Sequence, residues 1–144
     1  MSIKAAFYIL AESTLKARDL YACRIIEKAY SNDKTIYVHT ASAIEAQSFD
    51  TQLWTFRDIS FVPHEIYNQG LNSEAPVLIG YSAAVPAGEK DILINLAPEI
   101  PLFYQQFNHI IEIVPDDDNL KAAARKKYQI YQNSGYEMET FNIK

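Results

Sequence analysis

Short apolar runs alternate along this chain with longer stretches whose apolar residues recur every three or four positions. "KAAFYIL" (residues 4–10) is almost continuously apolar, the pattern of a strand buried on both faces. Ser13 or Thr14 then offers an N-cap, and between Leu15 and Tyr30 the residues Leu20, Cys23, Ile26 and Tyr30 mark one face of a helix. "TIYVHT" (35–40) is rich in β-branched and aromatic residues and predicts a second strand. Ser42 followed by Glu45 has the capping-box spacing. The helix it opens carries Ala46, Phe49 and Leu53 on one face and stops near Trp54. "FVPHEIYNQGLNSEAP" (61–76), with two prolines and a glycine, reads as an extended loop. "VLIGYS" (77–82) and "DILINLA" (91–97) predict two more strands, joined by a Pro86–Gly88 turn. A short helix at 101–107 leads to a fifth strand, "HIIEIV" (109–114), which Pro115 stops. A last helix follows, and "YEMETFNI" (136–143) adds an edge strand.

Strands and helices that alternate in this way form right-handed crossovers around a parallel sheet. The predicted architecture is α/β: a three-layer sandwich with a mostly parallel sheet, Rossmann-like in outline, in a single domain over residues 1–144.

That outline invites a nucleotide site, and the small nucleotide-dependent enzyme is the alternative to weigh. The residues speak against it. Phosphate-binding turns need glycines so that backbone N–H groups can approach the anion. The four glycines, Gly70, Gly80, Gly88 and Gly135, form no such loop, and the turn after the first strand, "AEST", places an acid there. The expectation is a fold without a nucleotide-binding loop, without catalytic residues and without a cofactor. His39, His64 and His109 are too scattered to suggest a metal pair, and a lone Cys23 on a core stripe reads as a small inert hydrophobe. One cysteine excludes an internal disulfide and fits a reducing cytosol. The N-terminal apolar run is too short for a signal segment or a membrane span. A net charge of −5 argues against strong direct binding to nucleic acid.

Against that acidic balance, "DDDNLKAAARKKYQIYQNSGY" (116–136) gathers Lys121, Arg125, Lys126 and Lys127 behind three aspartates. The aspartates suit the positive end of a helix dipole. At about 100° per residue, Leu120, Ala124 and Tyr131 fall on one stripe that faces the sheet. Lys121, Arg125, Tyr128 and Gln132 fall within ~60° of each other on the helix flank. An ammonium, a guanidinium and a phenol one turn apart form a receptor for a carboxylate beside an apolar group; a solvated helix face is the plain alternative.

Three stretches together resemble the chi subunit of bacterial DNA polymerase III. They are "LWTFRDISFVPHEIYNQGLNSEAPVLIG", "DILINL" and "VPDDDNLKAAARKKYQIYQNSGY". The resemblance extends over essentially the whole chain and implies a non-catalytic accessory subunit of the replicase in the bacterial cytoplasm. It implies two partners. One is the psi subunit, which tethers the family to the clamp loader. The other is the acidic, phenylalanine-ended C-terminal tail of single-stranded-DNA-binding protein. Carried onto this sequence, the tail site comprises Trp54, Val114, Lys121, Arg125 and Tyr128, and the psi site Phe61, Val62, Pro63 and His64. The sequence departs from the pattern at Gln129, where some relatives carry a cation, and in its three consecutive aspartates.

Overall fold

In the computed structural model, which describes residues 3–56, 63–66, 75–81 and 91–143, seven strands form one sheet. They are β1 (Lys4–Leu10), β2 (Ile36–Thr40), β3 (His64–Ile66), β4 (Val77–Tyr81), β5 (Ile92–Asn95), β6 (His109–Val114) and β7 (Glu137–Ile143). Their order across the sheet is β3-β4-β2-β5-β6-β1-β7. Every pairing is parallel, so the expectation of a mostly parallel sheet is met in full. Three helices cover it: α1 (Leu15–Ser31), α2 (Ala43–Thr55) and α3 (Asp118–Asn133), with one 3₁₀ turn at Tyr104–Gln106.

Each face of the sheet has its own core. α1 and α2 pack Cys23, Ile26, Ala46, Phe49 and Leu53 on Ile36, Val38, Ile79, Ile94 and Ile111. α3 packs Ala124 and Tyr131 on the other face, with Phe7, Tyr37, Leu93 and Ile110. Neighbouring residues of a strand separate cleanly between the two, as Tyr37 and Val38 do, because side chains alternate across a pleated sheet. A double-faced sheet must be apolar on both sides, which explains the unbroken apolar runs of the sequence.

The local signals fix the helix ends. The Thr14 hydroxyl accepts from Ala17 N at 3.1 Å, the N-cap of α1. The Ser42 hydroxyl accepts from Glu45 N at 3.2 Å, while the Glu45 carboxylate reaches past Ser42 to accept from Ala41 N at 3.1 Å. Asp117 caps α3, accepting from Leu120 N at 2.9 Å. At the far end Gly135 adopts φ 93°, Gly135 N donates to Gln132 O and Tyr136 N to Tyr131 O, the paired bonds of a Schellman stop.

Three expectations need correction. The α1 stripe is rotated: Ala22, Cys23, Ile26 and Ala29 are buried, whereas Leu20 and Tyr30 sit at 37 % and 36 % exposure. Small alanines let α1 approach the sheet closely, and hydrophobicity alone under-reads them. The segment 101–107 makes only a 3₁₀ turn, because Pro101 and the tightly packed Phe103 and Phe107 leave no room for regular helix. The extended loop contains β3, three residues paired with β4, too short for a period-two pattern. Phe61 and Val62 lie outside the described residues.

Candidate functional site: a groove between α3 and the β1–β7 edge

α3 crosses the sheet near its β1–β7 edge and leaves a groove of about 500 Å³ on its flank. The groove is lined by Phe7 and Ile9 from β1, Val114 from β6, Thr140 from β7, and Lys121, Ala124, Arg125, Tyr128 and Gln129 from α3. Its apolar parts are core residues: Phe7, Val114 and Ala124 are nearly or fully buried. Tyr128 is half-buried with its ring 5.5 Å from that of Phe7, so the phenol is braced from below. Arg125 is exposed, and among the described residues no carboxylate pairs with it. Lys121 is held by Asp116 in an ion pair. The result is an apolar slot, one braced aromatic ring and a guanidinium whose donors face solvent. A guanidinium can take a carboxylate through two parallel hydrogen bonds, and the slot beside it can shelter an aromatic or aliphatic side chain.

Four of the five residues expected at this site, Val114, Lys121, Arg125 and Tyr128, therefore meet in one groove. Trp54 does not join them. It lies in the last turn of α2, on the opposite face of the sheet, where its ring packs at a tilt 4.6 Å from that of His64. His64 opens β3, the far edge strand, and its Nε2 lies 3.3 Å from Asp50 Oδ1. The structure thus groups Trp54, which is 51 % exposed, with His64. Sequence reasoning also missed Phe7, Ile9 and Thr140; Gln129, named there only as a departure from the family pattern, lines the groove as well. Phe7 and Ile9 carry no sequence signal beyond strand periodicity, and their role depends on β7 lying beside β1.

A second polar cluster sits beneath α3. Glu112, 3 % exposed on β6, accepts from Tyr131 Oη at 2.6 Å, Asn95 Nδ2 at 2.8 Å and Lys127 Nζ at 3.0 Å. Lys127 also donates to Ala97 O at 2.9 Å. Burial, and then the neighbouring Glu112, raise the Tyr131 phenol well above its ordinary value. One signal could have found this: an acid inside an otherwise apolar strand, "HIIEIV", demands buried partners.

The carboxyl ends of the strands, where parallel α/β folds commonly hold ligands, are closed by the chain itself. Arg18 donates to Leu96 O at 2.9 Å and to Asp19 at 3.0 Å, and Asp116 N donates to Glu12 O at 2.8 Å, tying the loop after β1 to the loop after β6. The turn that would cradle a phosphate carries Glu12 and no glycine, so both charge and backbone disfavour an anion there. Cys23 is fully buried, and burial pushes its thiol up to about 12, with the charge of Asp19 adding to the shift. Among the described residues no group of three His, Cys, Asp or Glu side chains could hold a metal ion, and no helix is long and apolar enough to cross a membrane.

Fold and groove together define a parallel α/β domain with a partly apolar groove on a helix flank and an acid, not a glycine, in the turn after β1. The fold is shared with much larger proteins. UvsW of T4 matches 98 % of this chain at 10 % identity and a TM-score of 0.64, over 41 % of its own length. A DEAD box protein from Methanococcus jannaschii matches 98 % at 12 % identity and a TM-score of 0.61, over 42 % of its length. At such identities the likeness shows architecture alone. Sequence goes further: the pattern of the family described as DNA polymerase III chi subunit, HolC, matches residues 2–139, and the chain belongs to that family. The DNA polymerase III subunit chi of Pseudomonas aeruginosa is 34 % identical over 137 residues, spanning 95 % of this chain and 94 % of that protein. The chi subunits of Haemophilus influenzae and Escherichia coli are 32 % and 30 % identical, spanning 99 % and 94 % of this chain and 99 % and 95 % of their own lengths.

Proposed function

We propose that this chain is a non-catalytic adaptor of the bacterial replicase, acting in DNA replication in the cytoplasm, and that the α3 groove receives the acidic, phenylalanine-ended C-terminal tail of single-stranded-DNA-binding protein. The observation that carries this reading is the apolar slot beside the Arg125 guanidinium, which pairs with no carboxylate among the described residues. The terminal carboxylate sits on Arg125, and the terminal ring packs against Tyr128, Phe7 and Val114. The second partner, psi, docks at the β3 edge on Trp54 and Pro63, with the buried His64 bracing the Trp54 ring from beneath and Phe61 and Val62 contributing from outside the described residues, and links the chain to the clamp loader. The two surfaces lie on opposite faces of the sheet and at opposite edges, so one adaptor can hold both partners at once.

Arg125 is the expected anchor of the groove. Arg125→Ala should weaken binding of a tail peptide about thirtyfold, or roughly 2 kcal/mol, as loss of a central charged contact does. Arg125→Lys should recover only part of it, because an ammonium offers no paired fork of donors. Added salt should weaken the wild type, since exposed charges are screened over about 8 Å at physiological ionic strength. Calorimetric titration of the full chain measures all three. An Arg125→Ala variant that binds as tightly as wild type would remove the groove from consideration.

The grouping of Trp54 with His64 separates two outcomes. Trp54→Ala should weaken psi binding by about tenfold or more, as loss of an exposed aromatic anchor does, and leave tail-peptide affinity within about twofold. A surface-immobilised binding assay with each partner checks this. Loss of tail binding with psi binding intact would return Trp54 to the tail site and refute the assignment made from the geometry.

A further inference from the structure

Building on the reading of the α3 groove as a receptor for an acidic peptide, we propose that Asp116 is its specificity-determining residue. Its carboxylate occupies Lys121, so the groove accepts one ligand carboxylate, on Arg125, beside an apolar side chain, and gains nothing from further acids.

The three consecutive aspartates do three different things. Asp117 is the helix cap, accepting from Leu120 N at 2.9 Å. Asp118 lies in the first turn of α3. Asp116 turns toward the groove and accepts a hydrogen bond from Lys121 Nζ. Its backbone is held as well, because Asp116 N donates to Glu12 O at 2.8 Å in the loop after β1. The carboxylate is therefore presented to Lys121 from a fixed position. Among the described residues Lys121 and Arg125 are the two cations that line the groove, and no carboxylate there pairs with Arg125.

The energetics favour selection rather than blockade. An exposed ion pair contributes little, so Asp116 can be displaced. A ligand carboxylate that takes its place gains one pair while breaking another, and meets the charge of Asp116 at close range. Lys121 thus contributes little net affinity for an acidic ligand, whereas Arg125 contributes fully. A ligand with a single terminal carboxylate behind an apolar ring loses nothing by this arrangement.

Two peptides test it: acetyl-Gly-Asp-Asp-Gly-Leu-Phe and acetyl-Gly-Asn-Asn-Gly-Leu-Phe, each with a free terminal carboxylate. They are titrated calorimetrically into the full chain as wild type, Asp116→Asn, Asp118→Asn and Arg125→Ala. Wild type should bind the two within about threefold of each other. Asp116→Asn frees Lys121, and should bind the aspartate peptide on the order of five- to tenfold tighter while changing the asparagine peptide by less than about twofold. Asp118→Asn makes the same change of charge one turn before Lys121, at a carboxylate that forms no ion pair with it among the described residues, and should keep the wild-type ratio. The assignment is overturned if Asp116→Asn alters both peptides equally or neither, or if Asp118→Asn reproduces its effect. Loss of binding in Arg125→Ala together with an unchanged ratio in Asp116→Asn would sink the role of Asp116 and leave the groove standing. Full binding by Arg125→Ala, or no binding of either peptide to any form, would overturn both.

Discussion

Glu112→Ala should destabilise the chain by about 3–5 kcal/mol, the range for breaking a buried ion pair by removing one partner. The carboxylate is the shared acceptor of Tyr131, Asn95 and Lys127. Without it the phenol of Tyr131, a residue with no exposed surface, and the amide of Asn95 lose a partner they cannot replace with water. Lys127, whose side chain is 12 % exposed, keeps only Ala97 O. Because Lys127 and Tyr131 flank the turn of α3 that carries Tyr128, the damage should reach the groove, and tail affinity should fall with stability. Chemical denaturation of Glu112→Ala measures the loss. A second variant keeps the explanation testable: Glu112→Leu combined with Lys127→Met and Tyr131→Phe removes the carboxylate with two of its three donors, leaves the Asn95 amide its bond to Glu99 O, and should recover most of the stability, since a buried pair replaced whole by apolar groups is often neutral. A loss below about 1 kcal/mol in the single variant would show that Lys127 escapes to solvent and that the network matters little.

Acid should unfold the chain through His39. This imidazole is 7 % exposed at the end of β2, faces Phe103 edge-on at 5.6 Å, and its Nδ1 has no hydrogen-bond partner among the described residues. Burial, and then the charge of Lys127, lower its pKa from 6.5 to about 4. The folded state therefore holds His39 neutral while the unfolded chain takes up a proton at higher pH. Between those two values the unfolded state binds more protons, so stability rises with pH. The contribution is complete above about 6.5 and is lost as pH falls toward about 4. About 2.5 pH units at 1.36 kcal/mol each give roughly 3 kcal/mol. Denaturation curves at pH 7.5, 6, 5 and 4 should show wild type losing about that much relative to His39→Leu, which has no group to titrate there. Parallel pH profiles for the two proteins would mean that His39 takes its proton without resistance in the fold.

Much of the molecule is written locally. The cap at Ser42, a cap at Ser13 or Thr14, the placing of the aspartates at the start of α3 and the apolar strands were all legible, because each depends on residues within one turn or on a strand's own periodicity. The pairing of Lys121 with Arg125 and Tyr128 on one flank was legible for the same reason: a helix fixes the relative direction of residues three and four apart before it packs on anything. Even the question of the aspartates was visible, though which of the three turns toward Lys121 was not, since that depends on the tie between Asp116 and the loop after β1.

What periodicity cannot give is adjacency between elements distant in the chain. The sequence determined a parallel α/β domain, the ends of its helices and a cationic helix flank aimed away from the core. The tertiary structure decided that β1 lies between β6 and β7, and so that Phe7, Ile9 and Thr140 complete the groove. It decided that α2 and α3 cover opposite faces, and so that Trp54 packs on His64 rather than facing Tyr128. It decided which partners Glu112 meets. The physical reason is common to all three: strand order and the choice of face are set by how two separate apolar surfaces are buried at once, a property of the whole chain that no single stretch carries.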